Sequence, residues 1–425
     1  MPERRDIDAE ARETIRLNDR GNYTVPTAGL YPHQWNWDSA LAALGFSTFD
    51  LDRAWVELET LFGGQWQNGM VPHILFHQQD DGYFPGPDVW GCSGTVPSSG
   101  ISQPPVAATI VRQIWNADRK FGEERVRALF PSLVAWHRWF MTWRLDREAV
   151  CVTHPWEAGR DNAPDWDDAL ARIDPSDVGS YQRRDTAVVD PEMRPRNRDY
   201  DRYLWLVNLG RNNGWDEARL RECNPFRMAD PTMTFILLRA NRDLSAIGRD
   251  LGLEVDQLDN WTARLIRGAK SLWNPNIQSY DARDVRSGEW SACVSNASFL
   301  CWYGGLRDNR MLRHLERIKK STPYWIPSHD PESDRFDPRR YWRGPIWAFM
   351  NMLIGIGLAE ASLAREAEAI RRVTANLVKG SGFSEYFNPL DGSSAGGTDF
   401  TWTAAAWLAW LGKENGKSEQ WAQFS

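Results

Sequence analysis

The chain has 425 residues, a net charge of −7 at neutral pH, and 42% apolar against 25% charged residues, the balance of a globular protein with a sizeable core. The negative balance argues against nucleic acid as a partner, because phosphate binding needs clustered lysine and arginine. It leaves room for a small anionic substrate held by a local arginine pocket, and the length fits two or three average domains or one large ring of helices.

The N-terminus, Met1-Pro2-Glu3-Arg4-Arg5-Asp6, lacks the apolar segment of a secretory leader. Helical spacing then predicts helices over 8–19, 38–47, 51–62 and 104–119. Val126, Leu129, Leu133, His137 and Phe140 repeat at three- and four-residue steps, so another helix is expected there. Further helices are expected over 200–212 and 229–240. Leu244, Ile247 and Leu251 followed by Leu258, Trp261 and Leu265 extend the pattern. The last group covers 295–304, 308–319, 344–359, 361–378 and 401–412. The stretch from Trp347 to Leu358 is too short to span a bilayer and carries Asn351, so it reads as a buried helix.

Long β-alternation is scarce, and extended pieces such as Val71-Pro72-His73-Ile74-Leu75-Phe76 suit small hairpins within loops. Four connections, 64–103, 146–199, 273–293 and 321–343, are long and rich in Gly, Pro, Asp and Trp. Loops of that length in a compact domain are usually functional. Many helices with long loops gathered on one face suggest an all-α ring of paired helices. No low-complexity linker divides it, so a single domain over 1–425 is expected, with insertions near 64–103 and 146–199. The five cysteines (92, 151, 223, 293, 301) are odd in number and lack CxxC spacing, which suits buried thiols in a reducing cytoplasm.

Chemistry concentrates in five segments, in a chain with 24 tryptophans. In Trp156-Glu157-Ala158-Gly159-Arg160-Asp161-Asn162 a carboxylate stands among aromatics and glycine. Burial against tryptophan raises a carboxyl pKa, which a general acid near neutral pH requires. Asp161 fits that role; Glu157 and Asp165 compete for it, and Asp161-Asn162 also suits a helix cap. In Phe383-Ser384-Glu385-Tyr386-Phe387-Asn388-Pro389, Glu385 follows Gly380-Ser381-Gly382 and so falls in a loop, as a base that activates water would. The alternative is a surface glutamate.

Tyr31-Pro32-His33-Gln34-Trp35-Asn36-Trp37-Asp38 leads into an apolar helix. It reads either as a sugar platform, with Tyr31 and Trp35 stacking and Asp38 binding hydroxyls, or as a cap and core. Tyr341-Trp342-Arg343-Gly344-Pro345-Ile346-Trp347 clusters aromatics where Pro345 fits a helix's first turn. Arg194, Arg196 and Arg198, in a long loop before Tyr200, form either a fork for a carboxylate or a solvated surface. Paired carboxylates among aromatics point to glycosidic bond cleavage. No HExxH, GxSxG, P-loop or Rossmann glycine pattern is present, and the seven histidines show no ligand spacing; neither metal nor cofactor is expected.

Taken in order, these segments resemble family 63 glycoside hydrolases, above all the bacterial hydrolases of glucosylglycerate and mannosylglycerate. The likeness lies in Leu30–Asp38, Ser99-Gly100-Ile101-Ser102-Gln103-Pro104-Pro105, Glu157–Asn162 and Phe383–Tyr386. It implies an (α/α)6 toroid and an inverting mechanism, with Asp161 as general acid and Glu385 as general base. It also implies a sugar pocket matching Tyr31, Trp35, Asp38, Tyr83, Gln103, Tyr341, Trp342 and Trp347, with Gln34, Trp156 and Gly159 added from the motifs. An arginine and a tyrosine matching Arg194 and Tyr200 would hold the glycerate carboxylate, with Arg196 or Arg198 as alternatives to Arg194. The chain departs from the pattern at Phe400-Thr401-Trp402, where Gln-Ser-Trp is usual, and at Ala163, where serine is usual. The resemblance therefore implies a small sugar or sugar-acid substrate, with a neutral disaccharide or glucosylglycerol as the rival.

Overall fold

The computed structural model describes residues 6–92 and 94–412. Residues 1–5, which carry most of the reading that no secretory leader is present, lie outside them.

Helices α1 (Ile7–Leu17), α2 (Asn36–Phe46) and α3 (Leu51–Gly63) open the fold, α1 and α3 being capped by the carboxylates of Asp6 and Asp50. A short α4 (Pro87–Trp90) precedes α5 (Ala107–Ala117) and the long α6 (Arg119–Trp143), capped by Asp118. The next group is α7 (Asp167–Ala171), α8 (Asp185–Val188), α9 (Asn197–Asn212), α10 (Glu217–Cys223), α11 (Pro231–Asp250) and α12 (Asp256–Ser271). The chain closes with α13 (Asn296–Phe299), α14 (Leu312–Ser321), α15 (Ala348–Glu360), α16 (Ala364–Ser381) and α17 (Thr401–Ala406), the last running on as a π-helical turn over Trp407–Leu411.

Two kinds of helix follow from two kinds of sequence. Every residue of α2 is buried, as are Ala348–Leu358 of α15, because both are predominantly apolar, Asn36, Asp38, Ser39 and Asn351 being the polar exceptions. In contrast α1, α3, α12 and α16 bury one face only. Pairs form between α2 and α3, α5 and α6, α11 and α12, and α15 and α16. The buried helices also touch one another: α2 with α5 and α17, α5 with α11, α11 with α13, and α15 with α17. Gly357 of α15 lets the backbone after α13 approach closely, since a Cβ there would fall 2.2 Å from the Tyr303 nitrogen. The result is a mostly helical fold with a few small sheets.

Strand β1 (Gln34–Trp35) pairs antiparallel with β2 (Ile74–Leu75), Trp35 opposite Ile74. A four-stranded sheet in the order β3 (Leu145–Asp146), β4 (Ala149–Val152), β5 (Met228–Ala229) and β8 (Arg283–Asp284) ties three distant loops together, more than the expected local hairpins. Two hairpins complete the set: β6 (Trp273–Asn274) with β7 (Ser279–Tyr280), and β9 (Tyr386–Phe387) with β10 (Ser394–Ala395).

Two expected elements differ. Of the helix expected over 295–304 only Asn296–Phe299 forms, and the chain turns away through Gly305 at φ +81°. Pro345 is not in a helix's first turn, because Ile346 exchanges both backbone hydrogen bonds with Phe387 and so stays extended until α15 starts at Ala348. Among the described residues no helix is long and apolar enough to cross a membrane.

Candidate active site

The segment ahead of α2 and that helix's first turn, the loops before α5, α15 and α17, and the long 146–199 loop converge on one cleft with about 840 Å³ of empty space, its mouth included. Tyr31, Trp35, Asp38, Tyr83, Gln103, Trp156, Gly159, Asp161, Arg194, Tyr200, Tyr341 and Glu385 all line it. Gln34, Trp342 and Trp347 do not.

The structure separates the three carboxylates that compete in the 156–166 segment. Glu157 is fully buried and bound by Arg144 at 3.0 Å and by the Thr153 nitrogen at 2.7 Å. Asp165 is paired with Arg160 at 3.1 Å. Both are structural ion pairs. Only Asp161 of the three reaches the cleft, half-buried. Burial pushes its carboxyl up to about 7 against the pull of Arg194, with Glu385 and Asp185 adding to the rise. Asp161-Asn162 caps no helix: the Asn162 carbonyl oxygen Oδ1 accepts from the Trp342 nitrogen, while the Asp161 backbone carbonyl accepts from the Tyr203 hydroxyl at 2.8 Å. Gly159 sits two residues before it at φ +67°, where a Cβ would come within 2.5 Å of the Trp37 ring.

Glu385 is held from several sides. Arg194 Nη1 lies 3.3 Å from both carboxylate oxygens, the Tyr31 hydroxyl donates to Oε1 at 3.1 Å, and the Gly397 nitrogen donates to Oε2 at 2.9 Å. Arg194 Nη2 in turn donates to the Tyr31 hydroxyl at 2.5 Å, and its guanidinium lies 4.1 Å from the Tyr341 ring centre. Of the three arginines expected in the loop, Arg196 stands at the N-terminus of α9 and Arg198 in its first turn, both exposed, while Arg194 is buried in the cleft wall. Tyr200 brings its ring to the same cleft, with its hydroxyl on the Phe84 carbonyl at 3.3 Å.

The aromatic walls meet edge to face: Tyr31 with Trp35 at 5.2 Å and Trp35 with Tyr83 at 5.6 Å. Asp38 lies in the first turn of α2 rather than at its cap. Its buried Oδ1 has no partner in the protein, and burial together with Glu385 pushes its carboxyl well above the usual range. A buried carboxyl with one oxygen unpartnered, facing a cleft, is suited to a ligand hydroxyl. The Gln103 side-chain carbonyl accepts from the Trp37 nitrogen at 3.3 Å, which leaves its amide group toward the cleft.

Gln34, Trp342 and Trp347 stand one layer back. Strand alternation sends Trp35 to the cleft and Gln34 to the other side, where its amide donates to Ser39 at 2.8 Å and its carbonyl meets His77 at 2.6 Å. Trp342 and Trp347 stack at 3.8 Å, essentially unexposed, and back Tyr341.

Several lining residues escaped the sequence reading: His73, Phe84, Arg184, Asp185 and Trp402. Asp185 matters most, since it pairs with Arg194 at 3.1 Å and with Arg183. Burial alone would push its carboxyl up, but Arg194 and Arg183 outweigh it and hold it below the usual range. The only signal was an acid after Arg183-Arg184 in a long loop. Phe400, the departure from the family pattern, also lines the cleft, edge-on to Tyr31 at 5.9 Å.

Residues 31–403 match the family model of the mannosylglycerate hydrolase MGH1-like glycoside hydrolase domain. The chain belongs to this glycoside hydrolase family. It is 42% identical to mannosylglycerate hydrolase MGH1 of Selaginella moellendorffii, over 97% of this chain and 88% of that protein. It is 35% identical to the glucosylglycerate hydrolase of Mycolicibacterium hassiacum, over 95% and 97%. The crystal structure of the family 63 mannosylglycerate hydrolase from Thermus thermophilus, in complex with Tris and D-glycerate, superposes with a TM-score of 0.92 at 41% identity, covering 95% of this chain and 99% of that one. The enzyme is thus a glycoside hydrolase, and Asp161 and Glu385 both line its cleft.

Proposed function

We propose that the enzyme is an inverting hydrolase of a small α-glycoside of glycerate, mannosylglycerate or glucosylglycerate, releasing sugar and glycerate. One observation carries the reading: Asp161, its carboxyl raised to about 7, shares a cleft with Glu385, which an arginine and a tyrosine hold. The first carboxyl is protonated near neutral pH and acts as general acid on the glycosidic oxygen. The second takes a proton from water as that water attacks the anomeric carbon from the opposite face, while the bond to the leaving oxygen breaks. Inversion needs carboxyls about 6.5–9.5 Å apart, with room for the water between them.

The sugar ring lies against Trp35 and Tyr83, with Asp38 and Gln103 on its hydroxyls. Arg194 and Tyr200 face the glycerate carboxylate, since an acidic aglycone needs a cation in the leaving-group subsite. The names of the relatives support this substrate class. The chain of contacts among buried helices, with α2, α5, α11 and α15 each paired with the helix that follows it, supports an (α/α)6 toroid forming one catalytic domain, with the 64–103 and 146–199 loops as insertions. The five free thiols suit a reducing cytoplasm.

A second reading, a neutral aglycone such as glycerol or a second sugar, is favoured by Phe400 in the cleft wall and by Arg194 already engaging Glu385 and Asp185. Incubation with mannosylglycerate, glucosylglycerate, glucosylglycerol and trehalose separates the two. Release of glycerate from either acidic glycoside supports the first; turnover of the neutral ones alone supports the second, and no turnover of any refutes both.

A further inference from the structure

Outside the cleft, three long loops bring Asp165, Cys293 and His329 together in the interior. A carboxylate oxygen, the thiol sulfur and a ring nitrogen all lie within 4.8 Å of one another. The three residues are 3%, 1% and 1% exposed. His329 is the informative member, because neither of its ring nitrogens has a hydrogen-bond partner in the protein. Buried imidazoles are normally satisfied, so the ring is oriented for something the protein itself does not supply.

We propose that Asp165, Cys293 and His329 form a structural site for a divalent transition metal of the zinc class, which clips the loop carrying Asp161 to the 273–293 and 321–343 loops. The donor set is one oxygen, one sulfur and one nitrogen, a combination that suits zinc and does not suit magnesium or calcium. Zinc bonds of about 2.0–2.3 Å place tetrahedral ligands roughly 3.5 Å apart, so side-chain rotations of about an ångström bring the three donors onto one ion. On binding, Cys293 releases its thiol proton to solvent and coordinates as thiolate.

Two features outside the ligand set fit the ion. Arg160 faces two buried carboxylates, Asp165 at 3.1 Å and Asp230 at 3.2 Å, so a divalent ion with one thiolate adds one compensating positive charge. Arg160 and the Ser295 hydroxyl also fix Asp165 from behind, as partners of a ligating carboxylate do. The ligands lie too far apart in sequence for any spacing rule to show them. The ion touches neither Asp161 nor Glu385, and its role is to hold the acid's loop.

The test is metal content and spectroscopy of the full-length enzyme, expressed in zinc- or cobalt-supplemented medium and washed with chelator while folded. Mass spectrometry should find about one zinc per chain, and the cobalt form should show a thiolate-to-cobalt charge-transfer band. Cys293→Ser should lose the band, and His329→Gln should lose most of the metal. Background metal and no band in the wild-type enzyme overturn the proposal without reference to either variant, and so does equal metal in wild type and Cys293→Ser.

Discussion

Arg194 lies 3.3 Å from both carboxylate oxygens of Glu385 while its Nε donates to Asp185 at 3.1 Å, so one guanidinium joins the candidate base to a second acid of the cleft. Removing one partner of a buried charge pair costs about 3–5 kcal/mol, and Arg194→Ala should lose stability of that order in urea unfolding at pH 7. The same variant should lose discrimination between substrates. Hydrogen bonds to charged groups contribute about 1.5–3 kcal/mol, so kcat/KM for the acidic glycoside relative to glucosylglycerol should fall about 10- to 100-fold. An unchanged ratio would confine Arg194 to holding Glu385.

Asp161, as the proposed general acid, should set the alkaline limb of the pH profile. Its carboxyl titrates near 7 in the folded protein against 3.8 unperturbed, so kcat/KM should decline as pH rises through 7 and the acid loses its proton. Stability follows the same group. Between about pH 4 and 7 the folded state keeps a proton that the unfolded chain has released, so this group's contribution falls as pH rises across that window. Asp161→Asn should therefore be inactive, match wild-type stability near pH 4, and exceed it at pH 8. Denaturant titrations at the two pH values check this, and a variant less stable at pH 8 would contradict it.

Glu157 and Asp165 serve as contrasts. Glu157→Gln weakens the pair with Arg144, which retains Glu217 as a partner. It should lower the melting temperature while leaving kcat per folded molecule within about threefold of wild type, because the residue lies outside the cleft. A loss of kcat comparable to that of Asp161→Asn would reopen the choice between them.

Gly159→Ala probes the turn that presents Asp161. The position has φ +67°, and the added Cβ would meet Trp37 at 2.5 Å. A side chain at positive φ costs about 1–3 kcal/mol before the clash is counted, so the variant should melt several degrees lower. It should also lose kcat more than it raises KM, since the acid moves while the sugar walls stay in place.

The helices and much of the cleft were legible because both follow from local pattern. Apolar residues at helical spacing placed α2 and α16 to within a few residues and marked the middle of α6 and α12 without their ends, and aromatic–carboxylate segments marked the candidate acid and base. What was not legible depends on contacts between distant segments. Ile346 is extended only because Phe387 pairs with it, and Gln34 leaves the cleft because β2 sets the register of β1. Asp185 looked like any loop acid until Arg194 was placed beside it. Glu157 and Asp161 stand four positions apart; the resemblance picks Asp161, and in the structure the buried Arg144 on Glu157 and the opening of Asp161 onto the cleft tell them apart.

The central claim is that Asp161 and Glu385 together invert an α-glycoside of glycerate. Proton NMR of mannosylglycerate or glucosylglycerate hydrolysis, recorded before the sugar mutarotates, tests it most directly. The account predicts that the first sugar to appear is the β-anomer, together with free glycerate, and that Glu385→Ala abolishes it. The α-anomer as first product, or undiminished turnover by Glu385→Ala, would contradict it.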